Sequence, residues 1–187
     1  MYKRLFIAIK IDPTEELLRR IHFLKLNLTH EQFINWIPTN HYHLTLKFLG
    51  KVHQDRIGEI SERIRGVLEE KEKFLMQLTN IGIFGSNYSP GVLWGGVDEN
   101  KRIRILYQGI SKVLSNIGFS EDGQNFVPHI SIARIKKITD KKFFQELIKK
   151  ADLISCNQQK VNEIILYESI LKSTGADYRV VEKFDLV

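Results

Sequence analysis

With one cysteine, Cys156, in 187 residues, the chain can close no internal disulfide and build no zinc site from several thiolates. So little thiol fits a reducing compartment. Long apolar runs are missing as well, since no stretch approaches the roughly 20 residues that cross a bilayer as a helix. The start, MYKRLFIAIKID, sets Lys3 and Arg4 before a short apolar run. That run, Leu5 to Ile9, is closed by Lys10 and Asp12 and is too short for the core of a secretion signal. It reads as a first buried strand. No low-complexity segment or linker divides the chain. The expectation is a soluble, cytoplasmic protein of one domain over residues 1–187, with no membrane association. Its 43% hydrophobic content is enough for a substantial core.

Positive charge exceeds negative, with 28 Lys and Arg against 22 Asp and Glu, a formal net charge of +6. Such a balance suits an anionic partner, nucleic acid foremost, although many basic proteins are merely lysine-rich.

Hydrophobic periodicity predicts helices over 12–28, 55–73, 101–118 and 139–151. In the first, Asp12 is the expected cap, with Pro13 in the first turn and Glu15 at capping-box spacing. Strands are expected over 4–11, 34–38, 42–50, 74–85, 91–97, 126–135, 160–171 and 177–187. Each half of the chain thus offers helices, several short strands and one strand of the form His-x-(Thr/Ser)-x. The fold class expected is α+β: two pseudo-symmetric lobes, each an antiparallel sheet backed by helices, around a central cleft.

The two motif strands are HYHLTLKFLG, residues 41–50, and PHISIAR, residues 128–134. Side chains alternate along a strand, so His43 shares a face with Thr45, and His129 with Ser131. Leu44, Leu46, Ile130 and Ile132 then point into the core, and the histidine faces must be open to a cleft. Two facing imidazoles suit acid–base cleavage of a phosphodiester, because an ordinary imidazole can hold or release a proton near neutral pH. Hydroxyls at 45 and 131 can donate to phosphate oxygens as charge grows there. This arrangement requires no metal and no cofactor.

The chain resembles a known family at these motifs. HLTLKFLG and PHISIAR, with RLFIAI at the start, NWIP before the first motif and LYES near the end, are similar in kind and order to the RNA 2′,3′-cyclic phosphodiesterases. These belong to the two-histidine phosphoesterase superfamily and were once called 2′-5′ RNA ligases. The resemblance spans nearly the whole chain. It implies a bilobal fold and metal-independent opening of RNA 2′,3′-cyclic phosphate ends, or of cyclic nucleotides, to 2′-phosphomonoesters. Carried over, His43 is the proton donor to the 3′ oxygen, His129 the acceptor that activates water, and Thr45 and Ser131 the phosphate anchors. Ser131 stands where the family more often has Thr, which keeps the hydroxyl and loses a methyl group. A monomer without an obligate protein partner is expected. Two other functions stay open: 2′-5′ RNA ligation at the same site, and a nucleotide- or RNA-binding module without turnover.

Other residues are two-sided. His41 would share a strand face with His43, but no carboxylate or cysteine nearby completes a metal site. Lys47 has the parity of His43 and either draws phosphate or is solvated. Arg134 is a candidate RNA contact, although regular alternation puts it on the face opposite His129 unless the strand bends. Phe126, Trp94 and Tyr167 are either platforms for a nucleobase or core residues, with Phe126 the best placed for the cleft. His22, His30 and His53 read as ordinary helix or loop residues.

Overall fold

In the computed structural model, residues 1–31, 33–86, 89–98, 100–120, 125–151, 158–172 and 175–187 are described. Cys156 lies outside them. Strand β1 (Tyr2–Lys10) is buried on both faces from Leu5 to Ile9, as its unbroken apolar run requires. Leu5, Ile7 and Ile9 join the main core, while Phe6 and Ala8 join a smaller cluster with Ile165 and Tyr167.

Helix α1 (Glu15–Asn27) follows, with Leu17, Ile21 and Leu24 inward. Its cap is Thr14 rather than Asp12: the Thr14 hydroxyl accepts from the Leu17 N–H at 3.2 Å. The Asp12 N–H instead donates to Gln159. Next come β2 (Ile34–Trp36), a 3₁₀ turn over Thr39–His41 and β3 (His43–His53). Helix α2 (Ile57–Leu68) leads to the hairpin of β4 (Phe74–Ser86) and β5 (Ser89–Val97). Helix α3 (Lys101–Ser115), capped by Asn100, precedes β6 (His129–Ile135). Helix α4 (Lys141–Lys150) is capped by Asp140 and followed by β7 (Gln158–Val161), β8 (Glu163–Lys172) and β9 (Gly175–Asp185).

The strands form an antiparallel sheet in the order β7-β4-β5-β6-β3-β1-β8-β9, with β2 paired to β6. Two wings meet at β3 and β6, and they do not correspond to the two halves of the chain. Hairpin β4–β5, from the first half, extends the β6 wing, and β8–β9, from the second, extends the β3–β1 wing. The segment expected as one strand over 160–171 breaks at Asn162, so that β7 pairs β4 and β8 pairs β1. One intervening residue spans only a few ångströms, so the β7 edge and β8 must approach each other and the sheet must curl. Backbone bonds between Lys71 or Lys73 and Val187 tie the same ends together.

Buried residues from all four helices pack with Leu44, Leu46, Ile130 and Ile132 in the main core. The helices thus cover one face of the seam. The opposite face of β3 and β6 carries the polar motif residues.

Candidate active site

Leu44 and Ile130 are direct partners across β3 and β6, both fully buried. Antiparallel pairing about that point sets His43 beside Ser131 and Thr45 beside His129, all four on the face away from the helices. The imidazoles occupy diagonal positions of this square, for which ordinary sheet geometry gives residue separations of about 7–8 Å, with the Cβ atoms somewhat closer. Both imidazoles therefore lie on one face of the sheet, on neighbouring strands. All four side chains are partly accessible.

Each imidazole is held by the same device. His43 Nδ1 lies 2.7 Å from the His41 carbonyl oxygen, and His129 Nδ1 lies 2.8 Å from that of Val127. A carbonyl only accepts, so each Nδ1 carries the hydrogen and each Nε2 is left for chemistry in the cleft. An aromatic edge braces each ring: Tyr178 meets His43 at 5.1 Å and 87°, and Phe84 meets His129 at 4.7 Å and 88°. Behind them Phe6 stacks on Tyr167, and Phe84 on Trp94. The ring of Trp94 lies over Gly82, where a Cβ would come within 2.4 Å of it. Neither the Thr45 nor the Ser131 hydroxyl has a hydrogen-bond partner among the described residues.

Burial pushes the pKa of His43 below the ordinary imidazole value, and the nearby His41, His129 and Arg134 push it further down. The bond to the His41 carbonyl opposes this without cancelling it. The influence of His129 on His43 also reports that the two rings share one electrostatic environment.

Both motif strands depart from regular alternation at the same offset. Against β1, Ile7 pairs Lys47 and Ala8 pairs Thr45, leaving Leu46 extra. Against β5, Leu93 pairs Ala133 and Trp94 pairs Ser131, leaving Ile132 extra. A bulge flips the parity beyond it. Lys47 therefore turns away from the cleft: it is 2% exposed and donates to the Ser120 carbonyl at 2.7 Å, neither solvated nor on the face that His43 shares with Thr45. Phe48 takes the cleft side instead, 66% exposed, with its ring 6.0 Å from Phe6. Arg134 turns toward the cleft, acts electrostatically on His43 and Tyr178, and has no ion pair or hydrogen bond among the described residues.

His41 is not on the strand with His43. It ends the 3₁₀ turn, and its Nε2 lies 3.7 Å from Asp177. Among the described residues, no three His, Cys, Asp or Glu side chains are grouped to hold a metal ion. Phe126 stacks on Tyr107 at 4.1 Å and 7°, so one of its faces is taken. It also lines a cavity of about 350 Å³ with Trp94, Asn80 and Val127 beside His129. Tyr167 is buried at the base of the cluster around His43.

A family model described as LigT like Phosphoesterase matches residues 11–94, which include the first motif. An RNA 2′,3′-cyclic phosphodiesterase of Thermotoga maritima is 34% identical over 95% of this chain and 92% of its own length. The chain belongs to the LigT-like phosphoesterase family. Its fold is that of solved relatives. A Thermus thermophilus protein superposes with a TM-score of 0.79 at 22% identity, covering 98% of this chain and 97% of that one. Escherichia coli LigT complexed with 3′-AMP superposes with a TM-score of 0.73 at 18% identity, covering 100% and 99%.

Within this LigT-like frame, sequence reading missed Phe6, Phe84 and Tyr178. Phe6 was legible in principle, because it has the parity of Ala8, which pairs Thr45. Phe84 and Tyr178 reach the imidazoles only through the pairing of β4 with β5 and of β9 with β8. No helix among the described residues is long and apolar enough to cross a membrane.

Proposed function

We propose that the protein hydrolyses the 2′,3′-cyclic phosphate at RNA ends, leaving a 2′-phosphomonoester, by acid–base catalysis between His43 and His129. The observation that carries this is the diagonal pair of imidazoles, each with Nδ1 tied to a carbonyl and Nε2 free. His129 Nε2 takes a proton from water as the water oxygen attacks phosphorus. The bond from phosphorus to the 3′ oxygen breaks, and His43 Nε2–H protonates that oxygen. Solvent exchange then resets both rings. Thr45 and Ser131 donate to the non-bridging oxygens, and their hydroxyls have no competing partner to give up.

The depressed pKa of His43 bears on the acid role. In the free enzyme it favours neutral imidazole, whereas a bound phosphodiester anion stabilises the charged form and restores the donor. The same observation favours a second reading, in which His43 is the base and His129 the acid. No metal enters either version. A cytoplasmic monomer acting without a protein partner completes the proposal. Escherichia coli LigT is described in complexes with 3′-AMP and with ATP, which is consistent with a nucleotide ligand for this cleft.

The deciding experiment is turnover of a 2′,3′-cyclic-phosphate RNA end in the presence of EDTA, with the product isomer identified. A 2′-phosphomonoester is expected. A product joined to a second RNA strand, with no hydrolysis, would indicate ligation as the main role. Tight binding without turnover would indicate a binding module.

A further inference from the structure

On the His43 side of the cleft lies a cavity of about 440 Å³, bordered by Trp36, His41, Arg134, Lys172, Asp177 and Tyr178. Two of these flank His43 directly: His41 supplies the carbonyl that holds Nδ1, and Tyr178 packs its ring against the imidazole. The phosphate undergoing hydrolysis is already served by His43, Thr45, His129 and Ser131. Yet Arg134 and Lys172 both line the adjoining space, Arg134 with no ion pair of its own among the described residues. Asp177 answers part of this charge, with Oδ2 2.7 Å from Lys172 Nζ and Oδ1 3.7 Å from His41 Nε2. One carboxylate against two fixed cations leaves the lining net positive. The Tyr178 hydroxyl has no hydrogen-bond partner among the described residues.

Displacement at phosphorus is in line, so water and the departing 3′ oxygen sit on opposite sides of the phosphorus atom. With water on the His129 side, the departing oxygen, and the ribose that carries it, lie on the His43 side. The 5′ carbon of that ribose then leads toward the basic cavity. A free cyclic mononucleotide has no second anion to place there, whereas an RNA end has the phosphodiester joining it to the preceding nucleotide.

We propose that this cavity is a subsite for the 5′-phosphate of the cyclised nucleotide, held by Lys172 and Arg134 with the Tyr178 hydroxyl as a further donor, and that it selects RNA ends over free cyclic nucleotides. This rests on hydrolysis as proposed above, with His43 as the acid and His129 as the base. The test compares kcat/KM for three substrates: a nucleoside 2′,3′-cyclic phosphate, the same compound with a 5′-phosphate, and a dinucleotide with a cyclic end. The two that carry a 5′-phosphate are expected to be preferred about tenfold, the preference residing in KM and shrinking as salt rises.

Lys172 is exposed at the end of β8 and lies outside the core, so its replacement is expected to leave the fold intact. Lys172→Ala should bring the ratio of the phosphorylated to the unphosphorylated substrate close to one, and Lys172→Arg should keep it. Equal turnover of all three substrates by the unmodified protein overturns the subsite and leaves hydrolysis standing. So does a ratio indifferent to Lys172→Ala. Failure to turn over any of the three overturns the hydrolytic reading and the subsite with it.

Discussion

Leu44 and Ile130 face one another across the seam of the sheet, and through that contact two histidines separated by 86 positions come to share one face. The pair is wholly buried against the helices, so its register is fixed by the core. A slip of one residue would turn His43 or His129 into the apolar interior.

Replacing either imidazole with alanine should lower kcat by about 10²–10⁴-fold while the protein stays folded. The variants also separate acid from base. A phosphodiester with a nitrophenol leaving group needs little protonation, so it should restore turnover to the variant lacking the acid and not to the one lacking the base. Rescue of His129→Ala with none for His43→Ala would reverse the assigned roles.

Activity requires one ring charged and one neutral, so kcat/KM should trace a bell against pH. Since burial, with His41, His129 and Arg134 nearby, holds His43 below its ordinary value of 6.5, its limb in kcat/KM, which reports the free enzyme, should fall below that pH. In kcat, which reports the bound state, the phosphate anion stabilises the charged ring and the limb should move up. Identical limbs in both profiles would count against phosphate lying beside His43.

Removing a hydroxyl from the phosphate anchors should affect the transition state more than the ground state. Thr45→Val and Ser131→Ala are each expected to lower kcat by roughly 10²-fold with a smaller change in KM. Ser131→Thr keeps the donor and should retain most of the activity.

Glu31 supplies a prediction about stability. Its carboxylate is 4% exposed and accepts from the N–H groups of Thr139 and Asp140 and from the Thr139 hydroxyl, tying the segment between α1 and β2 to the start of α4. Burial raises its pKa, but those bonds outweigh burial and leave it below the ordinary 4.5. A lowered folded-state pKa contributes stability above the unfolded-state value and loses it as pH falls through the folded one. Glu31→Ala should cost about 3 kcal/mol at neutral pH, with a Tm lower by on the order of 10 °C. The gap between wild type and Glu31→Gln should narrow in thermal melts below about pH 4. A constant gap across that range would show that the ionised carboxylate is not what matters.

At Gly82 a methyl group would strike the ring of Trp94, so Gly82→Ala should displace that ring from Phe84 and destabilise the fold by about 1–3 kcal/mol. A changed tryptophan emission with reduced activity is the expected signature. Unchanged emission would mean that the ring is not held there.

The motif chemistry was legible in the sequence because alternation along a strand is local: His43 with Thr45, and His129 with Ser131, follow from spacing alone. The helices' buried stripes were legible for the same reason. Tertiary structure decided the rest. Whether a ladder admits one extra residue depends on the partner strand, so the bulges at Leu46 and Ile132 that bury Lys47 and turn Arg134 to the cleft leave no mark in the residues themselves. Nor does periodicity reveal which strands become neighbours. That pairing interleaves the two halves of the chain, brings Phe84 and Tyr178 to the imidazoles, and buries His43 enough to lower its proton affinity. Local composition sets which faces are apolar; long-range contacts set what each polar face meets.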